Sequence, residues 1–376
     1  MIIKLIGRID SSNAAETEMN INEQIGDANI DELVLDADEL EYISSAGLRV
    51  ILRLKKQFPN TKVINCNSDV YDIFDMTGFS EMMEITKAFR KISVDNCEVV
   101  GEGANGIVYR TDPDTIVKVY KMPDSLNEIN KERELARKAF VMGIPTAIPY
   151  DVVKVGDLYG SVFEMLNAKS FAVLLSEGEN LDKLVEQSVE ILKIIHSTTL
   201  KSDELPNKKF EGIKWAEYCV PYLPQEVGEK LVKLFKEIPE TNNMIHGDYH
   251  IKNIMRQGEE NLLIDMDTLS LGHIVFEFAQ MYITYHGYSE IEHSDSKRFF
   301  NVDYDTIQEF WNKTLKCYFK GKDDAFIKSA VDKARIIAYT RMLRRSIKHK
   351  LNNDVVEEHC KKLLSELVPA TDSLAF

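Results

Sequence analysis

Residues 101–120 restrict the fold more tightly than any other stretch of this chain. Gly101, Gly103 and Gly106 stand in a Gly-x-Gly-x-x-Gly pattern, and the residues after Gly106 decide between two architectures. In dinucleotide-binding folds the last glycine opens a helix. Here Ile107-Val108-Tyr109 continues with β-branched and aromatic residues, Asp112-Pro113-Asp114 turns the chain, and Ile116-Val117-Lys118-Val119-Tyr120 returns with strand alternation. A glycine-rich loop flanked by two strands is suited to lie over ATP phosphates, with Lys118 reaching the α- and β-phosphates.

A second stretch carries the chemistry that such a loop would serve. His246-Gly247-Asp248-Tyr249-His250-Ile251-Lys252-Asn253 is followed by Leu262-Leu263-Ile264-Asp265. Asp248, then Asn253, then Asp265 beyond a short turn have the order of a base and two metal ligands in phosphoryl transfer. The Asn253 amide oxygen is a hard donor suited to Mg2+. Ile254-Met255 reads as a strand, residues 257–261 as a turn and Leu262-Leu263-Ile264 as the returning strand, which leaves Asp265 at its end to bridge metal and phosphates. A His-x-Asp tripeptide alone is more often a hydrogen-bonded pair or a surface loop, but the ordered set of three is specific. Asp267 reads equally as a further ligand, a local support or a capping residue. His196, on an apolar helix, reads as a satisfied core histidine.

From about Asn96 to the C-terminus the chain resembles the aminoglycoside phosphotransferase and choline kinase group of the protein-kinase-like fold. The resemblance rests on Gly101 to Val108, Lys118, Val162-Phe163-Glu164-Met165-Leu166 as the hinge between lobes, His246 to Asn253, and Ile264-Asp265. It implies an ATP- and Mg2+-dependent phosphotransferase acting on an alcohol group. Asp248 would accept or orient the acceptor hydroxyl, and Asn253 and Asp265 would hold the metal. Gly101, Gly103, Gly106, Val108, Lys118, Glu164 and Leu166 would bind nucleotide. A helix expected from Asp124 to Val141 carries Glu128, Glu132 and Glu134; related sequences place Glu132 opposite Lys118, with Glu128 on the same face. Protein kinases usually have Lys at the position of His250, so this residue tilts the expectation toward small-molecule acceptors. Where the family often has Gly-Asp-Pro and a further Asp, this chain has Leu271 to Glu277, and Glu277 is the residue left to support the catalytic loop.

The first ninety-odd residues are a separate object. Strand-like Ile2–Ile6, Glu32–Asp36 and Lys62–Asn65 alternate with helical 14–25 and 46–58, an α/β layer of modest size. Leu33 to Asp36, Tyr42 to Leu48, Gly7-Arg8-Ile9-Asp10 and Phe74 to Phe79 are similar to the STAS domain of bacterial anti-sigma-factor antagonists. That resemblance makes Ser45 a candidate site of regulatory phosphorylation at a helix N-terminus. The preceding residue is commonly Asp in the family and is Ser44 here, and helix capping is the competing reading of both serines.

The expected architecture is an α/β STAS-like domain (1–95) followed by an α+β bilobal protein-kinase-like domain (96–376), with an N-lobe over 96–166 and a helical C-lobe over 167–376. Amphipathic stretches are expected at Leu181–His196, Gln225–Glu237 and Lys328–Leu351. Trp215, Tyr218 and Tyr222 read as core or as lining of an acceptor pocket. Arg341, Arg344, Arg345, Lys348 and Lys350 read as a solvated face or as a contact to the STAS-like domain.

The chain of 376 residues is 44% hydrophobic, which is enough for two or three cores. No apolar run reaches membrane-spanning length and no signal-peptide pattern opens it. Five scattered cysteines without metal spacing fit a reducing cytoplasm. The net charge of -15 argues against nucleic acid as a partner and suits a cationic acceptor such as an amino sugar or choline. The leading expectation is a small-molecule kinase with a regulatory STAS-like domain and a protein partner for that domain. A bacterial signalling protein kinase, or a nucleotide-binding regulator without turnover, stand as alternatives.

Overall fold

A computed structural model of the chain describes residues 1–26, 28–103, 105–123, 125–351 and 353–376. Ala104 of the glycine-rich loop and Asp124 at the start of the expected helix lie outside the described residues. Two compact units form: Met1–Asn96 with Val152–Gly160, and Cys97–Asp151 with Ser161–Phe376.

In the first unit β1 (Ile2–Ile9), α1 (Ala14–Ile25), β2 (Leu33–Ile43), α2 (Ser45–Gln57), β3 (Thr61–Cys66), α3 (Ser68–Met76), β4 (Ile85–Lys87) and β5 (Arg90–Lys91) follow one another. The sheet order is β1-β2-β3-β4 and each neighbouring pair is parallel, the pattern that strand–helix alternation dictates. Along β1, Ile3, Leu5 and Ile9 point into the core while Ile2 and Ile6 are exposed. Leu33, Leu35 and Ala37 of β2, Ile51 and Leu54 of α2, and Val70 and Phe74 of α3 close the same core. β2 runs seven residues past Asp36, because register shifts between Lys4 and Ile6 and between Gly7 and Arg8 keep β1 paired with it as far as Ile43. Ser44 caps α2: its Oγ accepts from the Ala46 N–H at 3.2 Å, and Ser45 is the first helical residue and is exposed.

The second unit begins with β6 (Glu98–Glu102), β7 (Gly106–Asp112), β8 (Thr115–Tyr120) and α4 (Leu126–Val141), and takes in the start of β9 (Pro149–Val155) and the end of β10 (Leu158–Glu164). The strands from β6 to β10 follow the order β9-β10-β8-β7-β6 within a six-stranded sheet. The glycine-rich segment is thus a β–loop–β unit, with Val108 paired to Lys118 across antiparallel β7 and β8. A mainly helical part follows: β11 (Lys169–Ser170), α5 (Phe171–Ser176), α6 (Leu181–Ser197), α7 (Lys208–Cys219), α8 (Gln225–Lys236), β12 (Met244–Ile245), β13 (Ile254–Gln257), β14 (Glu260–Leu263), β15 (Ser270–Leu271), α9 (Val275–Tyr282), α10 (Ser294–Phe300), α11 (Tyr304–Tyr318), α12 (Asp324–Lys348) and α13 (Asp354–Leu367). Phe235, Phe278, Phe310, Trp311 and Tyr339 centre its core. The β13–β14 turn is tighter than the expected 257–261: Gln257 pairs with Glu260, and Gly258 at φ +60° lets two residues reverse the chain. α12 starts before Lys328 because the Asp323 carboxylate caps it, accepting from the Phe326 N–H at 2.8 Å. Among the described residues no helix is long and apolar enough to cross a membrane.

Candidate functional site

Strand alternation turns Lys118 toward α4, where its Nζ lies 2.8 and 3.1 Å from the two Glu132 oxygens and 3.6 Å from Asp265 Oδ1. The Tyr120 hydroxyl, two residues along β8, donates to Glu132 Oε2 at 2.5 Å. Glu132 is buried; Glu128 and Glu134 are exposed. Burial alone would lower the Lys118 pKa, but the negative charge of Glu132, with Tyr120 and Asp265, outweighs it and leaves the pKa raised.

Gly106 meets a steric limit, since a Cβ there would come 2.6 Å from the Val119 carbonyl oxygen. A Cβ at Gly103 would meet nothing within 4 Å and one at Gly101 only Val108 at 3.9 Å, so internal packing does not demand glycine at either. Glu164 ends β10, exposed, with Oε2 accepting from the Tyr150 hydroxyl at 3.1 Å. The Met165 N–H after it donates to the Asp114 carbonyl at 2.8 Å, and Leu166 is partly buried. Glu164 also lines a cavity of about 620 Å³ with Tyr150, Thr146 and Leu262; Lys118, Asp248, Asn253 and Asp265 do not line it.

The loop from His246 to Asn253 hangs on a buried carboxylate. Glu277, on α9, accepts from the His246 N–H at 2.5 Å and the Gly247 N–H at 3.0 Å, and His196 Nε2 stands 3.6 Å from the same side chain. Burial drives the Glu277 pKa up, and His196, His246 and the backbone donor bring it below the usual carboxylate value. His196 is held from its other nitrogen by the Tyr318 hydroxyl at 2.7 Å, so it is a core residue, as the apolar helix suggests. Gly247 sits at φ +82°, and a Cβ there would strike the Thr268 carbonyl oxygen at 2.7 Å. Thr268 Oγ1 in turn donates to the His246 carbonyl at 2.7 Å.

Asp248 emerges from this loop with Oδ1 accepting from Gln280 Nε2 at 2.8 Å and Oδ2 3.6 Å from His250 Nε2. Burial pushes its pKa up, but His250, His246 and the Gln280 amide more than compensate and it falls to about 2. Asn253 Nδ2 donates to the Asp248 carbonyl at 3.0 Å, which fixes the amide and leaves its oxygen as the atom that could serve a cation. Asp265 takes the left-handed conformation, φ +66° and ψ +62°, at the end of β14. Asp267 is pushed up to about 7 by burial, then by Asp265 and Glu132. That excess of negative charge is what a divalent cation relieves, so the donor set of Asn253 and Asp265 fits Mg2+. Among the described residues no three His, Cys, Asp or Glu converge on one point, and phosphate oxygens and water would complete such a shell.

The sequence reading did not name Gln280, and it took Arg341 for part of a solvated face or of a contact to the STAS-like domain. Gln280 grips Asp248, and Arg341 on α12 donates from Nη1 to Gln280 Oε1. Arg341 is partly buried rather than solvated, because α12 packs on α9 and α7 and brings it against Gln280 and the Trp215 ring; Arg345, Lys348 and Lys350 are exposed as a solvated face would be. The available signal for Gln280 was its place three residues after Glu277 in an otherwise apolar helix.

Comparison with known proteins divides the chain at a similar place. Residues 1–92 match the model of the STAS domain and residues 96–310 that of the phosphotransferase enzyme family. Over 92 residues, 23% of this chain and 78% of the relative, the first part is 33% identical to BtrV of Bordetella bronchiseptica, designated a putative anti-sigma factor antagonist. Two solved structures share the fold. One is the GDP and kanamycin complex of the aminoglycoside phosphotransferase APH(2″)-IIIa, with TM-score 0.51, 14% identity, and coverage of 80% of this chain and 99% of that one. The other is a thermostable variant of aminoglycoside phosphotransferase APH(4)-Ia with ADP and hygromycin B, with TM-score 0.52, 12% identity, and coverage of 74% and 95%.

Proposed function

Because the chain belongs to the phosphotransferase enzyme family and carries an N-terminal STAS domain, we propose that it moves the γ-phosphate of ATP to a hydroxyl of a small molecule in a Mg2+-dependent reaction. The observation that carries this reading is the Asp248 carboxylate, ionised and pinned by Gln280, on the same short loop as Asn253. Lys118 beside Glu132 and Asp265 supplies the phosphate-facing cation.

In the proposed reaction the acceptor oxygen forms a bond to the γ-phosphorus, the bond from that phosphorus to the bridging oxygen breaks to leave ADP, and the hydroxyl proton passes to Asp248. A carboxylate with so low a pKa is a weak base, so Asp248 chiefly orients the hydroxyl and takes the proton late. Lys118 neutralises the α- and β-phosphates, and the glycine-rich loop offers backbone N–H groups over them. Asn253 and Asp265 would hold Mg2+, which supplies charge neutralisation on the transferring group. Gly101, Gly103, Gly106, Val108, Glu164 and Leu166 would contact nucleotide, Glu132 would hold Lys118 in register, and His250 favours a small acceptor.

The purified chain should consume ATP with Mg2+ when screened against aminoglycosides, amino sugars, choline and a metabolite extract. Asp248→Ala should lower transfer on the order of 10³-fold while nucleotide binding persists. Equal turnover in that variant would overturn the reading. A second reading is favoured by the exposed Ser45 at the start of α2: the STAS domain regulates the phosphotransferase, or binds a protein partner, and is phosphorylated in cis. Labelled ATP followed by peptide mapping tests it, and absence of label on Ser44 and Ser45 would exclude the cis reaction. All five cysteines are free thiols, in keeping with a cytoplasmic setting.

A further inference from the structure

The net charge of the whole chain points to a cationic acceptor, yet a cluster of arginines whose first member, Arg341, is linked to Asp248 carries positive charge. Arg341, Arg344 and Arg345 fall on one face of α12. Arg341 joins Asp248 through a single side chain, donating to Gln280 Oε1 while Gln280 Nε2 donates to Asp248 Oδ1. Its guanidinium lies 5.3 Å from the Trp215 ring centroid and that of Arg344 5.9 Å from Tyr218, so one aromatic face of α7 backs both.

Arg341 and Arg344 are partly buried while Arg345 is exposed beside them, and partly buried guanidinium groups are normally matched by a carboxylate. Among the described residues no carboxylate oxygen lies within 4.0 Å of Arg341, Arg344 or Arg345. Arg341 feels the charges of Asp248 and Glu211, but Asp248 is reached only through Gln280 and Glu211 is engaged by Lys208 at 2.8 Å. Beside the arginines Tyr218 and Tyr222 stack at 6.1 Å between centroids, 37% and 43% exposed, and form a flat apolar ledge.

Resting on the phosphotransferase reading above, we propose that the acceptor carries an anionic group, a carboxylate or a phosphate ester, which Arg341, Arg344 and Arg345 bind while its hydroxyl faces Asp248. Arg guanidinium suits either oxyanion because its planar fork donates two parallel hydrogen bonds. The Tyr218–Tyr222 ledge takes a planar or apolar portion of the same molecule. Arg341 has a second duty as a positioning residue for Gln280, so Arg344 and Arg345 are the cleaner reporters.

A ligand series with one ring and different charge tests the proposal by calorimetric titration of the full chain saturated with Mg-ADP. The probes are benzoate, phenyl phosphate, benzyl alcohol and benzyltrimethylammonium. The anions should bind at least ten-fold more tightly than the neutral and cationic members, and whichever of benzoate and phenyl phosphate is tighter identifies the oxyanion. Arg344→Ala with Arg345→Ala should remove most of that preference while Mg-ADP affinity stays the same, and Arg344→Glu should shift it toward benzyltrimethylammonium. Tighter binding of the cation by the unmodified chain, or an anion preference unchanged in both variants, would overturn the proposal. Failure of Mg-ADP to bind would instead remove the phosphotransferase reading, with the anion preference still measurable on the apo chain.

Discussion

His286 shows how one side chain can set the pH range of the second unit. Its ring stacks on Tyr282 at 5.2 Å, meets the edge of Trp311 at 5.7 Å, and buries Nε2 without a hydrogen-bond partner. Burial, reinforced by the Arg335 charge, pulls its pKa from 6.5 down to about 4. Between these values the unfolded chain binds more protons than the folded one, so stability is fully present above pH 6.5 and declines as pH falls toward 4. The whole effect is about 3 kcal/mol. Urea midpoints at pH 7 and pH 5 should differ accordingly, and His286→Phe, which keeps the stack and removes the proton site, should narrow the difference. Single residues were also where sequence reasoning was most uneven. Lys118, Asp248 and Asn253 stand out by spacing along the chain, whereas Gln280 reaches Asp248 from 32 residues away and Arg341 reaches Gln280 from 61, the latter through the packing of α12 on α9, and no local pattern encodes either.

At the level of elements, the loop from His246 to Asn253 is an irregular segment anchored from α9 by Glu277. Glu277→Ala would leave the His246 and Gly247 N–H groups buried without acceptors, each costing about 1–3 kcal/mol. Glu277→Gln keeps one good acceptor and turns an NH2 toward the other donor. We expect the Ala variant to lose both thermal stability and transfer, and the Gln variant to retain fold and nucleotide binding with reduced kcat. A Gln variant as active as the parent would show that the anchor does not govern loop geometry. The β–loop–β unit and the helices with clear apolar stripes were legible because periodicity reports local structure. The two-residue turn at Gly258 and the early start of α12 were less so, since both depend on one backbone angle or one cap.

Across the whole molecule, two separate sets of buried residues make two cores, one around Phe74 and Leu35 and one around Phe235, Phe278 and Trp311. Alternation of strands and helices announced the first and the ordered motifs announced the second, which is why the order of modules could be read from sequence. A ligand that binds the second core's site stabilises that unit by mass action, about 2.7 kcal/mol at a hundred-fold excess over Kd. Calorimetric scans with Mg-ADP should therefore move one part of the unfolding profile upward and leave a ligand-insensitive part in place. A single transition that shifts as a whole would show that the two cores melt as one.

The hydroxyl of Tyr120 gives Glu132 a second companion. Under the proposed function Lys118 would turn to phosphate oxygens, and a carboxylate with a lone partner would then be stranded in a dry place. With Tyr120 still donating, that hand-over would leave Glu132 with a partner, so the cation could be lent to a nucleotide and taken back without the helix having to move.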